Sequence, residues 1–222
     1  MTVDVNIEFR DYYQEELYMT ADVETGVLYN RSGRRMLALT DDFLIGLHRA
    51  LEKECGERAD LVIHRCGRKW GFNFGEGLTA EWSEFYGAPF SSFPLAMFQS
   101  LLKQEFAHNG WGRLEIHYEL LEQGIVWLSL QGAIMAAIRE ESKDTKADIL
   151  TAGIVSGMYS YFLNRDLDCL QTQSEAEGFP DSRFVISDAS RIEQLREQVK
   201  PGDSHDEILS GLKKLIGSTP EG

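Results

Sequence analysis

Few of the side chains are of a type that does chemistry, and those few are scattered. Cys55, Cys66 and Cys169 occur without a CxxC pair or any metal-ligand spacing, so neither a disulfide framework nor a zinc ribbon is indicated. Cys66 stands four residues before Trp70, and the pair could line a pocket, with the Cys66 thiol able to form a thioether. Val62, Cys66, Trp70 and Phe74 together have helical spacing, which reads more simply as core. His64 and His108 lie beside charge or a turn and read as surface. His117 has Glu115 and Glu119 at alternate positions, the surroundings of a solvated histidine. The carboxylates Glu140 with Glu141, and Glu119 with Glu122, are of the type that does acid–base catalysis, but nothing places them in a dry cleft with a partner that would shift a pKa. Arg65, Arg68 and Lys69, near Arg58, could hold an anion, against the default of a solvated helix face. There is no GxGxxG, GxSxG or P-loop pattern, so no nicotinamide or nucleotide site is legible.

These residues depend on the elements that must position them. Residues 1 to about 35 are polar and aromatic, with turn signals at 24–26 and 31–33, and read as an N-terminal arm. Thr40 or Asp41 can cap a first helix that carries Phe43, Leu44, Leu47 and Leu51 at helical spacing and ends near Gly56. A second helix starts at Ala59 and is weakened by Gly71, Gly75 and Gly77. Pro94 suits the start of a third helix with Phe98, Leu101, Leu102 and Phe106, closed by Asn109 and Gly110. Residues 113–121 and 125–131 then form a hairpin that sets Leu120 against Val126, Tyr118 against Leu128 and Ile116 against Leu130. That register makes one face apolar and puts Ile125 and Trp127 on a mixed opposite face. A fourth helix, 146–163, carries a stripe of Gly153, Ser156, Gly157 and Ser160 that another backbone can approach closely. Residues 167–173 and 183–187 read as a second hairpin, and two amphipathic segments from Asp188 and Ser204 precede the ending STPEG.

Bulk properties bound the function. A chain of 222 residues with 43% hydrophobic content can bury one substantial core. A formal net charge of -14 repels phosphate backbones and anionic lipid surfaces, so nucleic acid is not an expected partner. The acidic N-terminal sequence does not read as a signal peptide, and no run approaches a membrane span. With the unpaired cysteines, this leads to an expected reducing, cytoplasmic location.

The stretch TAGIVSGMYSYFLNRDLDCLQTQSEAEGFPDSRFVIS, residues 151–187, combines a glycine-bearing helix, a strand, a loop with a central glycine and a strand entered through arginine and phenylalanine. With the upstream GRKWGFNFGEGL and GWGRLEIHYEL segments, it resembles the 4-vinyl-reductase domain family over residues 36–188, leaving the arm (1–35) and a helical tail (189–222) outside. The resemblance implies an α/β (α+β) fold, an antiparallel sheet of two hairpins packed with about four helices. That fold is shared with NO-signalling and Golgi-transport ligand-binding domains and with the small vesicle-tethering (TRAPP) subunits. It further implies a small hydrophobic ligand such as a phenol, tetrapyrrole or bilin, and, for stand-alone cyanobacterial relatives, a role in photosystem assembly. In zinc-carrying members the signature supplies a glutamate and two cysteines, and the matching positions here are Gln171, Ser174 and Ser182. An amide and two hydroxyls are poor zinc ligands, so no zinc is expected, which also argues against the phenol-sensor branch. The pocket positions of ligand-binding members match Trp127 and Cys169, so a helix over the mixed sheet face would enclose Ile125, Trp127 and Cys169.

In that light Cys66 could carry a bilin, His117 could be an axial ligand, and Arg65, Arg68 and Lys69 could hold tetrapyrrole propionates, each against the plainer reading given above. The expectation is a non-catalytic module binding a small hydrophobic molecule, with Trp127, Cys169, Ile125, Cys66 and Trp70 as candidate contacts. It would act in photosystem assembly or pigment handling as a homodimer with assembly proteins as partners, peripheral at the thylakoid membrane. The alternative is a pure interaction scaffold that dimerises or docks through the stripe at 153–160 or the tail helices. A vinyl reductase of chlorophyll biosynthesis ranks last, since it would need an external reductant or a cofactor site that the sequence does not show.

Overall fold

The structure is a computed structural model and describes residues 11–14, 18–139, 148–200 and 202–217. The Glu140 and Glu141 pair and the STPEG ending lie outside the described residues. The segment read as an arm forms β1 (Met19–Asp22), β2 (Val27–Asn30) and β3 (Arg35–Met36), an antiparallel sheet in that order. Its tyrosines are built into the main core: Tyr12, Tyr13 and Tyr18 are all buried.

Helix α1 (Asp41–Cys55) follows extended Thr40, whose side chain makes no capping hydrogen bond, and ends at Gly56, whose N–H donates to the Glu52 carbonyl. Its inward side is not the expected one. His48 is its buried residue, while Phe43 and Leu47 are exposed. Helix α2 (Ala59–Tyr86) runs unbroken for 28 residues through all three glycines expected to weaken it. Its buried side carries Ile63, Gly67, Gly71, Phe74, Gly75, Leu78 and Trp82. This stripe is rotated from the one that periodicity suggested, so Cys66 and Trp70 face outward.

The remaining elements are α3 (Leu95–His108), β4 (Arg113–His117), β5 (Val126–Gln131), α4 (Ile134–Arg139), α5 (Ile149–Leu163), β6 (Leu167–Gln173), β7 (Ser182–Asp188), α6 (Ala189–Gln198) and α7 (His205–Gly217). The reason for the rotation of α2 lies on α5. A Cβ placed on Gly71 would overlap the Ile154 carbonyl, and one on Gly157 would overlap the Arg68 carbonyl. The two helices therefore touch backbone to backbone, and a propensity cost of about 1 kcal/mol per glycine is offset by that close packing. The small-residue stripe of α5 is occupied within the chain. Gly153 and Gly157 face α2, while the hydroxyls of Ser156 and Ser160 both donate to the Leu167 carbonyl at 3.1 and 3.0 Å.

The four-stranded sheet is antiparallel in the order β4-β5-β7-β6, so the two hairpins join through β5 and β7. The second hairpin falls where the sequence placed it. In the first, Ile116 pairs with Leu128 and Leu114 with Leu130, two residues away from the expected register. The apolar face is preserved because a shift of two keeps side-chain parity. Strand β4 ends at His117, and residues 118–125 form a longer loop with a tight turn, held by Leu121 N donating to Tyr118 O at 3.0 Å and Ile125 N to Leu120 O at 3.1 Å. The inner face, with Leu114, Ile116, Val126, Leu128, Phe184, Ile186 and Cys169, packs with Leu78, Trp82, Leu102, Phe106, Val155 and Met158 in one core. The tail helices cover the outer face in a second cluster of Ile125, Val185, Ile192, Leu195, Ile208, Leu209 and Leu212.

Candidate functional site

The sheet register decides which candidate residues share a site. Trp127 pairs with Val185 and Val185 with Leu170, whereas Cys169 pairs with Ile186, itself opposite Val126. Trp127 and Cys169 therefore point to opposite faces of the sheet, since alternate strand residues do. No single pocket holds both, which corrects the expected grouping of Ile125, Trp127 and Cys169. Ile125 and Trp127 do lie under helices, those of the tail. Cys66 and Trp70 belong to neither face. Trp70 is 43% exposed and stacks on Phe74 with centroids 4.7 Å apart and edge-on to Trp111 at 5.4 Å, while Cys66 is an exposed thiol on α2.

On the outer face, His117 and Trp127 stack at 3.5 Å and 3°. His205 of α7 lies 5.0 Å from the indole, and its Nδ1 is hydrogen-bonded to Thr172 Oγ1 at 2.7 Å. Burial, with the Arg183 charge next in effect, pushes the His205 imidazole down to about 4, so it docks neutral. This face is a packed contact between sheet and tail. His117 is thereby only partly solvated. Nor are His64 and His108 plain surface residues: His64 Nε2 is 3.1 Å from Asp168 Oδ1, and His108 stacks on Tyr13 at 5.1 Å.

On the inner face, Cys169 is wholly buried. Burial, and secondarily Asp168, raises its thiol well above the ordinary range, so it is a protonated thiol and a poor nucleophile. Near it lies fully buried Tyr159 of α5, whose hydroxyl is 3.5 Å from that of Tyr118 in the loop after β4. Burial raises both phenols, so both hydroxyls keep their protons. At 3.5 Å their mutual bond is weak, and each retains capacity to donate or accept. Half-buried rings flank them. Phe98 is 5.2 Å from Phe162 and 6.5 Å from Tyr159, and Phe90 is 5.7 Å from both Phe98 and Phe162. The arrangement sets two protonated hydroxyls beside the edges of buried and half-buried aromatic rings. Sequence reasoning missed Tyr118 and Tyr159, because an assumed ladder position hid the first and the small-residue stripe of the fourth helix drew attention from the second.

Two other polar clusters lie inside the molecule. Gln171, Ser174 and Ser182, the positions matching zinc ligands in the resembling family, do converge, and the buried carboxylate of Asp148 sits among them. Ser182 Oγ donates to Asp148 Oδ2 at 2.6 Å and Ser174 Oγ does so at 3.4 Å, while Asp148 N donates to Gln171 Oε1 at 3.0 Å. An amide, two hydroxyls and a carboxylate are a poor donor set for zinc, and their hydrogen bonds engage Asp148 Oδ2 while the buried Oδ1 has no hydrogen-bond partner among the described residues. Elsewhere, Glu81 and Glu105 are buried under the N-terminal tyrosines. Tyr13 Oη donates to Glu105 Oε2 at 2.5 Å and accepts from Trp82 Nε1 at 3.2 Å, and Tyr12 Oη donates to Glu81 Oε2 at 2.7 Å. Burial raises the Glu105 carboxyl, against which the Tyr13 and Asn109 hydrogen bonds pull it down. This network fastens the N-terminal segment to α2 and α3.

Comparison with solved structures places the architecture. The chain shares the fold of the phenol-responsive sensory domain of the transcription activator PoxR, solved with phenol, at a TM-score of 0.62 and 15% identity, over 92% of this chain and 93% of that one. The match exceeds what residues 36–188 alone could supply, so it reaches into the segments set apart as arm and tail. A trafficking protein particle complex subunit 3 from Naegleria fowleri, covalently bound to palmitic acid, gives a TM-score of 0.48 at 10% identity over 66% of this chain and 93% of that one. A vinyl-4-reductase family protein from Methanocaldococcus jannaschii gives 0.39 at 14% identity over 70% and 98%. No protein-family model and no curated protein matches the chain. Among the described residues no helix is long and apolar enough to cross a membrane.

Proposed function

We propose that the chain is a non-catalytic module that binds a small hydrophobic molecule between the inner sheet face and helices α3 and α5. The observation that carries this reading is the Tyr118 and Tyr159 hydroxyl pair, 3.5 Å apart beside half-buried phenylalanines. A large apolar lining with a few oriented polar atoms is the usual composition of a small-molecule site. The PoxR sensory domain, solved with phenol, supports the use of this fold for such a ligand.

The family resemblance extends the proposal to a tetrapyrrole or bilin ligand, and to photosystem assembly or pigment handling at the thylakoid surface. A lactam carbonyl of an open-chain tetrapyrrole and the hydroxyl of a phenol are both groups that protonated tyrosines can orient. Cys169, held as a neutral thiol, is assigned no covalent role. The stripe at 153–160 packs on α2 and β6, and one side of the tail helices packs on the outer sheet face, so the scaffold alternative would use the outward sides of the tail helices.

Titration of the purified chain with phenol, biliverdin and haem, followed by absorbance and tryptophan fluorescence, tests the reading. Saturable binding that persists in Trp127→Ala and weakens by about tenfold in Tyr159→Phe supports it, as expected for loss of one oriented hydrogen bond. Failure of the folded protein to bind any of the three would sink it.

A further inference from the structure

A second site is built on the outside of the α2–α5 contact. Because Gly67 and Gly71 face α5, the opposite register of α2 points outward and carries Arg65, Arg68, Lys69 and Phe72 at spacings of three and four, which share one helix side. The turn after α5 adds Arg165 and the left-handed Asn164 (φ 48°). Together they line an open depression of about 590 Å³. Four cations stand against the lining carboxylate of Asp166 and the Asp188 carboxylate paired with Arg165, so the depression keeps a net positive charge in a chain whose formal net charge is -14.

The cations are unequally engaged. Arg68 pairs with Asp166 and donates to the Leu167 carbonyl at 3.2 Å, and Arg165 pairs with Asp188 at 2.9 Å. Arg65 and Lys69, one turn apart and both exposed, make no hydrogen bond or ion pair among the described residues. Like charges one turn apart are unfavourable on an isolated helix, and an anion between them reverses the sign of that interaction. Phe72, 42% exposed and edge-on to Tyr161 at 5.3 Å, gives the same depression an apolar wall. The acidic remainder of the surface repels an extended polyanion while the depression attracts a compact one.

We propose that this depression binds a phosphate group, with Arg65 and Lys69 as its primary contacts, Arg68 and Arg165 as supporting charges, and Phe72 against whatever apolar portion the phosphate carries. A free phosphate ester and a lipid headgroup share this chemistry. The test is calorimetric titration of the full chain with inorganic pyrophosphate, in parallel with co-sedimentation on phosphatidylcholine vesicles with and without phosphatidic acid. The expected result is saturable pyrophosphate binding that weakens as salt rises and falls by about tenfold or more in Arg65→Ala/Lys69→Ala. Because both side chains are exposed and make no ion pair among the described residues, the thermal midpoint of that variant should be unchanged, and Lys69→Gln alone should give an intermediate loss. Binding confined to phosphatidic acid vesicles and lost in the double variant assigns the phosphate to a lipid. Absence of binding in both arms, or binding that survives the double variant, overturns the proposal.

Discussion

The hydroxyls of Tyr118 and Tyr159 face one another at 3.5 Å, although one residue follows an edge strand and the other sits inside a helix 41 positions later. A pair this far apart in sequence and this loosely bonded contributes little to the fold and leaves two oriented groups available to a guest. Tyr159→Phe should therefore lower the urea midpoint only slightly, by the equivalent of about 1 kcal/mol or less, while weakening ligand binding about tenfold. Stability and affinity measured on the same preparation separate the two effects. A large stability loss with unchanged affinity would make the pair structural.

The backbone contact between α2 and α5 makes a sharper prediction. Gly71→Ala and Gly157→Ala each place a methyl group against a carbonyl of the facing helix. Each should cost about 2–3 kcal/mol or more in urea unfolding, the scale of core overpacking. Gly46→Ala is the control, since nothing lies within 4 Å of a Cβ there, and it should stabilise α1 by about 0.5–1 kcal/mol. Equal effects at all three positions would contradict the backbone-to-backbone packing.

The N-terminal segment gives a third. Tyr13→Phe removes the hydroxyl that serves both Glu105 and Trp82 in a buried setting. Two buried polar groups each lose a partner, so the expected loss is about 2–4 kcal/mol, well above that of an exposed hydroxyl. Tyr29→Phe, on a half-exposed strand position, should be neutral by comparison.

Docking of the tail carries a pH dependence. His205 is held down to about 4 in the fold, chiefly by burial and then by Arg183, against an ordinary value of 6.5. Between those values the unfolded chain binds a proton that the folded chain excludes, so stability is full above about pH 6.5 and is lost as pH falls towards about 4. The loss should reach about 2–3 kcal/mol in urea midpoints extrapolated to water, and His205→Gln should flatten that part of the profile. An identical slope in the variant would place the titration elsewhere.

Much of the scaffold is legible in the sequence because its signals are local. The second hairpin, the bounds of α1 at Thr40 and Gly56 and the start of α3 at Pro94 each follow from a few neighbouring residues. What was not legible depends on pairing between distant elements. Whether Trp127 and Cys169 share a sheet face is set by the β5-β7-β6 register, and a step of one residue in that register reverses the answer. The inward side of α2 is likewise decided by α5, whose glycines make Gly67 and Gly71 the contact and leave Cys66 and Trp70 outside. One overlooked signal was present: Glu105 interrupts the apolar stripe of Leu101, Leu102 and Phe106, and a carboxylate so placed calls for buried donors, which the tyrosines supply.

The measurement that bears most directly on a ligand under the inner sheet face is the set of nuclear Overhauser contacts between a saturating bound ligand and the aromatic side chains. The account predicts contacts to Phe98, Tyr118, Tyr159 and Phe162 and none to Trp127. Contacts to Trp127 and His205 in their place would put the ligand on the outer face and contradict it.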